Sequence, residues 1–254
     1  MSSDSEGYDL DAGPDPATVA AATPEPVDPD DPVFAVGIGP GNPEFLTPRA
    51  RRAIADAEVV VGFETVVDFV ESETDAELLT CGYEDEAEAL SRFGERVEAG
   101  AAGTAVLMGD PNHSGYQFVG KVQRAIERPL RVIPGISSLQ VAASRARTPM
   151  EETTFVTLHK SGDLDGDIAH LRDAVGDRHL LVLPRPFDWM PGDVAADLLE
   201  ASADPGLRAL VFERLTHEDE TVTQTTLGEL AEQAGGGREG TPFSDLSVLA
   251  VRSG

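Results

Sequence analysis

Three short loops in this 254-residue chain hold the residues whose types and spacing could do chemistry. The first, Gly37-Ile38-Gly39-Pro40-Gly41-Asn42-Pro43, follows an apolar run, and its glycines permit positive φ and close approach of a ligand to the backbone. Counted from Gly37, the dinucleotide fingerprint needs a third glycine where Asn42 stands, and Pro40 removes an N–H that a pyrophosphate cradle would use. A ligand loop and a plain strand-to-helix turn both fit this segment. The second loop, Leu107-Met108-Gly109-Asp110-Pro111, places a carboxylate at a strand end, available either to a ligand or to its own turn. The third, Pro134-Gly135-Ile136-Ser137-Ser138, opens a helix capped by one of its serines, whose hydroxyls could instead meet a ligand. His113 and His159 stand at strand ends where ligand contact and structural roles are equally open; His170, His179 and His217 are expected at the surface or in turns. Cys81 is the only cysteine, which excludes intrachain disulfides and Cys-rich zinc sites, and no histidine pair has metal-ligand spacing.

These loops need strands and helices to hold them. Apolar runs at Val33–Ile38, Glu58–Val61, Leu78–Cys81, Thr104–Met108 and Leu130–Ile133 alternate with helical patterns near 47–57, 64–70, 84–99, 115–127 and 137–146. Thr47 is a plausible N-cap and Pro48 suits the first helical position. Such alternation predicts an α/β lobe with a largely parallel sheet over residues 33–149, with 148–152 as a linker. Residues 150–254 predict a second α/β lobe, whose Thr-rich alternating strands point to a mixed sheet. The expected fold class is α/β with two lobes and a ligand cleft between them, ligands gathering at the carboxyl ends of parallel strands.

Composition bounds the partners. There are 46 Asp plus Glu against 19 Lys plus Arg, a net charge of −27, and among the bases only Lys121 and Lys160 are lysine. This balance argues against nucleic acid, which needs a cationic face, and against docking on anionic membranes. No apolar run approaches the about 20 residues of a membrane span, and the chain does not open on a basic-then-apolar signal, so a soluble cytoplasmic protein is expected. Residues 1–32 hold nine acids, six prolines and no base, and are read as a disordered acidic tail. Removing those nine leaves 37 acids against 19 bases, so the folded part is acidic too, which suggests a salt-rich (halophilic) cell interior.

In order and spacing, GIGPGNPEFLTPRARRAI, MGDP and PGISSLQVAASR together resemble the tetrapyrrole methylase superfamily, across about residues 33–252. Phe155-Val156-Thr157-Leu158-His159, Glu213-Arg214-Leu215 and Glu220-Thr221-Val222 look most like the branch that methylates carbon 5 of cobalt-precorrin-7 in cobalamin synthesis. The resemblance implies a methyltransferase that uses S-adenosylmethionine as donor, with any cobalt arriving inside the substrate. It places Pro40, Met108, Gly109, Asp110, His113, Ser137 and Ser138 against the donor, with Leu183, Pro184 and Leu215 near its adenosine. A donor without phosphates suits a loop poor in free N–H groups, and Asp110 suits its cationic sulfonium. No general base is assigned, because Phe63 stands where uroporphyrinogen-methylating relatives carry an acid. The implied corrinoid substrate is itself anionic, so local cations are expected to meet it: Lys160 first, Arg185 second, with His159 beside them. Arg49, Arg51 and Arg52 are further candidates, and Trp189 with Phe187 could cover the macrocycle edge or plug a loop. Relatives imply a homodimer. Other precorrin or uroporphyrinogen ring methylases are the main alternative, and diphthine synthase a more distant one.

Overall fold

The computed structural model describes residues 30–82, 84–160, 162–235 and 237–254. Positions 1–29 of the acidic tail read from the sequence lie outside the described residues. At the tail's end, Asp31 is already tied down: Arg128 donates to its carbonyl from Nε and Nη2 and pairs with its carboxylate at 2.6 Å.

Contacts divide the chain into two compact units, one ending at Ile136 and one beginning at Ser137. The first holds five parallel strands, β1 (Val33–Gly37), β2 (Val59–Phe63), β3 (Glu77–Cys81), β4 (Gly103–Leu107) and β5 (Leu130–Ile133), in the order β3-β2-β4-β1-β5. Helices α1 (Pro48–Ala55), α2 (Glu64–Val70), α3 (Glu86–Glu98), α4 (Pro111–Ser114) and α5 (Tyr116–Ala125) connect them. Alternation along β1 explains the near-continuous apolar runs: Val33 and Ala35 face a core with Phe93, Val97 and Phe118, while Val36 faces a core with Ala50, Ile54 and Val67. Both faces are covered, so every position must be apolar or small. Thr47 caps α1 by accepting from the Ala50 N–H at 3.2 Å, with Pro48 in the first turn as expected.

The second unit has a mixed sheet, as its alternating pattern predicts: β6 (Thr153–Thr157), β7 (His179–Leu183), β8 (Arg208–Glu213), β9 (Thr221–Thr226) and β10 (Ser247–Val251), in the order β6-β7-β10-β8-β9. Only the β6–β7 pair is parallel. Helices α7 (Asp165–Ala174), α8 (Pro191–Glu200) and α9 (Leu227–Ala231) cover one face through Leu171, Val194, Leu198 and Leu227. Helix α6 (Ser138–Ala146), which the sequence places in the first lobe, packs on β7 and β10, so the contact division falls before it. The expected linker at 148–152 contains a 3-10 turn, Met150–Glu152, leading straight into β6.

Two further differences have local causes. The single helix expected over 115–127 is preceded by α4, because Asp110 caps a turn that begins at Pro111. His179, expected at the surface, is buried on β7, where its Nδ1 accepts from the Ser253 N–H at 2.9 Å. Burial, then the nearby Arg252 guanidinium, pushes its pKa down.

Candidate functional site

In the first unit, the chain leaves β1 in one direction across β4 to reach β2, and leaves β4 in the other direction across β1 to reach β5. Two neighbouring parallel strands that diverge in this way open a crevice at their carboxyl ends. The loops there are stitched to one another. The Ile38 N–H donates to the Leu107 carbonyl at 2.9 Å; Gly39 and Gly109 then exchange backbone bonds at 3.2 and 2.8 Å. The loop after β5 joins them through glycine alone: a Cβ on Gly135 would stand 2.1 Å from the Gly109 carbonyl oxygen, and one on Gly37 only 2.6 Å from the Gly135 nitrogen. The three loops singled out in the sequence therefore meet backbone to backbone, which requires glycine at 37 and 135.

Within this group Pro40 is buried, Gly109 adopts φ +62°, and Met108 is 36% exposed. Asp110 is only 8% exposed. Its Oδ1 accepts from the Asn112 N–H at 3.0 Å and the Asn112 side chain at 2.7 Å, and its Oδ2 lies 3.5 Å from His113 Nδ1. The carboxylate therefore caps α4, while keeping a negative charge at the carboxyl end of β4. Phe63, at the end of β2, packs its ring 5.5 Å from that of Phe118. Burial first, then Glu86 and Asp85, push the pKa of the buried Cys81 thiol up to about 12, which disfavours the thiolate that a nucleophile needs.

Ser137 and Ser138 begin the second unit. Ser137 is the N-cap of α6, with a full capping box: its hydroxyl accepts from the Leu139 N–H, and its own N–H donates to Gln140 Oε1 at 2.8 Å. Ser138 is half-buried in the first turn. At the carboxyl ends of β6 and β7 the structure gathers His159, Lys160, Leu183, Pro184 and Arg185, since the Leu158 N–H still pairs with the Leu183 carbonyl at 2.8 Å. Burial lowers the pKa of His159, which favours the neutral ring. Lys160 is engaged by Asp167 at 2.8 Å. Arg185 fixes its neighbouring loop, donating to the carbonyls of Lys160 at 3.1 Å and Gly162 at 2.8 Å, and meeting Asp188 at 3.1 Å. A cavity of about 550 Å³ lies here, lined by Leu164, Asp165, Ile168, Arg172, Arg185 and Trp189. Arg172, missed in the sequence, is held by both oxygens of Asp197. Of the arginines on α1, Arg51 pairs with Glu73.

Leu215 is buried in the loop after β8, and that loop is strained. Arg214 and Thr216 adopt φ +46° and +73°, left-handed values that are uncommon for any side chain and unfavourable for a β-branched one. No residue preference signals this, because threonine argues against such a backbone. Among the described residues no three His, Cys, Asp or Glu side chains are grouped to hold a metal ion, and no helix is long and apolar enough to cross a membrane.

Comparison with known proteins adds four findings. The sequence profile of the tetrapyrrole (corrin/porphyrin) methylases matches residues 32–231. A probable cobalt-precorrin-7 C(5)-methyltransferase of Methanocaldococcus jannaschii is 28% identical over 204 residues, which span 78% of this chain and 91% of that one. Among solved structures, the uroporphyrin-III C-methyltransferase of Thermus thermophilus in complex with S-adenosylhomocysteine aligns with a TM-score of 0.66 at 25% identity, covering 87% of this chain and 92% of its own. A cobalamin-biosynthetic precorrin-6Y methylase of Archaeoglobus fulgidus aligns at 0.63 and 22% identity, covering 88% and 99%.

Proposed function

Because the chain belongs to the tetrapyrrole (corrin/porphyrin) methylases, we propose that it methylates carbon 5 of cobalt-precorrin-7 in cobalamin biosynthesis. It is an S-adenosylmethionine-dependent C-methyltransferase, and the proposal concerns which ring and which carbon it serves. The observation that carries this reading is the alignment along 91% of the archaeal relative that bears this activity in its name.

The glycine-lined crevice fits the donor. Gly37 and Gly135 let its three loops pack backbone to backbone, and Pro40 brings no N–H to it, which suits a donor without phosphates. The donor supplies a methyl group on a cationic sulfur, open to in-line attack by an electron-rich ring carbon. The chain supplies position and field. Pro40, Met108, Gly109 and His113 bracket the methionine end; Asp110, almost water-free, sets a negative potential that favours a sulfonium. We assign Ser137 and Ser138 to the donor as well, and Leu183, Pro184 and Leu215 to its adenosine. Holding two reactants in near-attack geometry is where most of the acceleration arises, and no side chain is assigned a proton.

His159, Lys160 and Arg185 face the carboxylate-bearing macrocycle. Arg185 acts chiefly by shaping the 158–162 loop it already binds, whereas Lys160 exchanges Asp167 for a substrate carboxylate. Lys160→Glu weakens corrinoid binding and leaves S-adenosylmethionine affinity unchanged; equal loss of both, measured by calorimetry, rejects the assignment. The enzyme works as a cytoplasmic homodimer in this reading. Incubation with labelled donor and a panel of cobalt-precorrins, followed by mapping of the new methyl, tests the whole. Label at carbon 5 is expected; label on another ring carbon, or on uroporphyrinogen, overturns it.

A further inference from the structure

The strained turn after β8 is held by a clamp that crosses from another element. Glu220 uses one carboxylate oxygen, Oε2, to accept from the Thr216 N–H at 2.7 Å, and the other, Oε1, to meet the Arg145 guanidinium in the last turn of α6. Arg214, the other left-handed residue, is fixed from a different side, its N–H donating to the Leu246 carbonyl at 2.9 Å. Its carbonyl accepts from the His217 N–H at 3.0 Å, and its Nε pairs with Asp219 at 2.8 Å. Leu215 thus sits between two left-handed residues, each tied separately.

Strained backbone persists only where its surroundings over-determine it, and it gathers where a backbone group must point in one direction. The clamp does little for stability as a charge pair, because the Arg145 side chain is 42% exposed and such pairs are worth little in water. Its distinguishing product is geometry: it holds a threonine where glycine would be the relaxed choice.

We infer that Glu220, braced by Arg145, is a positioning residue for the methyl donor: by holding Thr216 left-handed it aims the Leu215 backbone at the adenosine. This rests on the reading above that Leu215 touches the donor. Glu220 touches no reactant. Removing its carboxylate lets the 215–216 peptide relax toward ordinary φ, and the donor loses a wall while the corrinoid-facing side chains at 159, 160 and 185 stay in place.

Calorimetric titration of S-adenosylhomocysteine into the full chain tests this. Glu220→Ala weakens binding by about tenfold or more, the equilibrium equivalent of releasing one such backbone residue. Thr216→Gly placed on that background restores at least about threefold of the loss, because glycine occupies φ +73° without a clamp. In turnover assays Glu220→Ala raises the donor KM and leaves the corrinoid KM unchanged, a split that a general loss of structure does not produce. If Glu220→Ala does not fold, Glu220→Gln with and without Thr216→Gly is read in the same way. Wild-type affinity in the single variant, or no recovery in the double variant, overturns the inference. Failure of the wild-type chain to bind S-adenosylhomocysteine overturns the donor site itself, a different result.

Discussion

At the scale of single residues, the candidate site depends on side chains that are missing. Gly135 shows this most sharply, because the atoms a methyl group would meet are backbone atoms of two other loops: the Gly109 carbonyl oxygen at 2.1 Å and Gly37 at 2.8 Å. Neither can swing aside as a flexible side chain would. Overpacking of this kind costs about 1–3 kcal/mol and here also pushes three loops apart. Gly135→Ala is therefore expected to lower Tm and to abolish measurable S-adenosylhomocysteine binding. Gly166→Ala in α7, whose added methyl meets nothing within 4 Å, keeps both. Unchanged donor affinity in Gly135→Ala would show that these loops do not form the donor's wall. Asp110 makes the complementary point. Of the two readings left open by the sequence, the structure shows Asp110 capping its own turn, a use compatible with the donor role proposed for the same carboxylate.

At the scale of elements, what was legible in the sequence was whatever depends on local chemistry. Apolar runs marked the five strands of the first unit to within a residue or two, Leu130–Ile133 at both ends, because strands largely buried on both faces leave little room for polar residues. Thr47-Pro48 marked a helix start through capping, and Asp110-Pro111 carried the same signal for α4, which the sequence left open between a ligand and its own turn. What was not legible depends on packing at a distance. Nothing local in Ser138–Ala146 says which sheet it covers, and the pairing of Arg145 with Glu220 joins residues 75 positions apart. His179 belongs to the same class: a polar residue opening an apolar run looks like an end, yet the strand includes it and Ser253 comes back to meet it. That burial has a pH signature. The folded pKa lies below the ordinary value of about 6.5, so above that pH the folded state loses nothing, while below it the unfolded chain gains a proton that the folded one resists. Stability is expected to fall as pH drops below about 6.5 and on through the folded pKa. His159, also lowered by burial, contributes in the same direction. Denaturant midpoints of wild type and His179→Asn, whose amide oxygen can still accept from Ser253, should keep a constant separation above about pH 6.5, while below it the wild type falls relative to the variant; a separation constant throughout would remove His179 from the account.

At the scale of the whole molecule the governing fact is unpaired charge. Beyond residue 32 the chain carries 37 acids and 19 bases, so even if every base neutralised one acid, 18 acids would remain without a partner. The pairs that form do not spread evenly either: Arg92 and Arg96 both attend Glu77, and Arg128 spends most of its donors on backbone carbonyls. Carboxylates left over on a surface repel over a range set by salt, about 8 Å at 0.15 M and about 3 Å at 1 M. Raising potassium chloride across that interval should therefore raise Tm, and should do so by screening. Screening saturates as the Debye length falls below the spacing of surface charges, whereas any general strengthening of apolar burial continues to grow with added solute. Sucrose at equal osmolality separates the two, since it favours compact states without screening. A Tm that climbs with potassium chloride well beyond the sucrose response, then levels near about 1 M, is the expected result. Equal responses to the two solutes would mean that the acid coat does not limit this fold, and that its charge serves solubility alone. If Lys160 meets the macrocycle as proposed, the same screening bears on catalysis, because an anionic substrate approaching an acidic enzyme is repelled at long range and attracted by Lys160 only at contact. Added salt should accordingly lower the corrinoid KM until the Lys160 contact is itself screened, which makes the salt optimum for activity fall below that for stability.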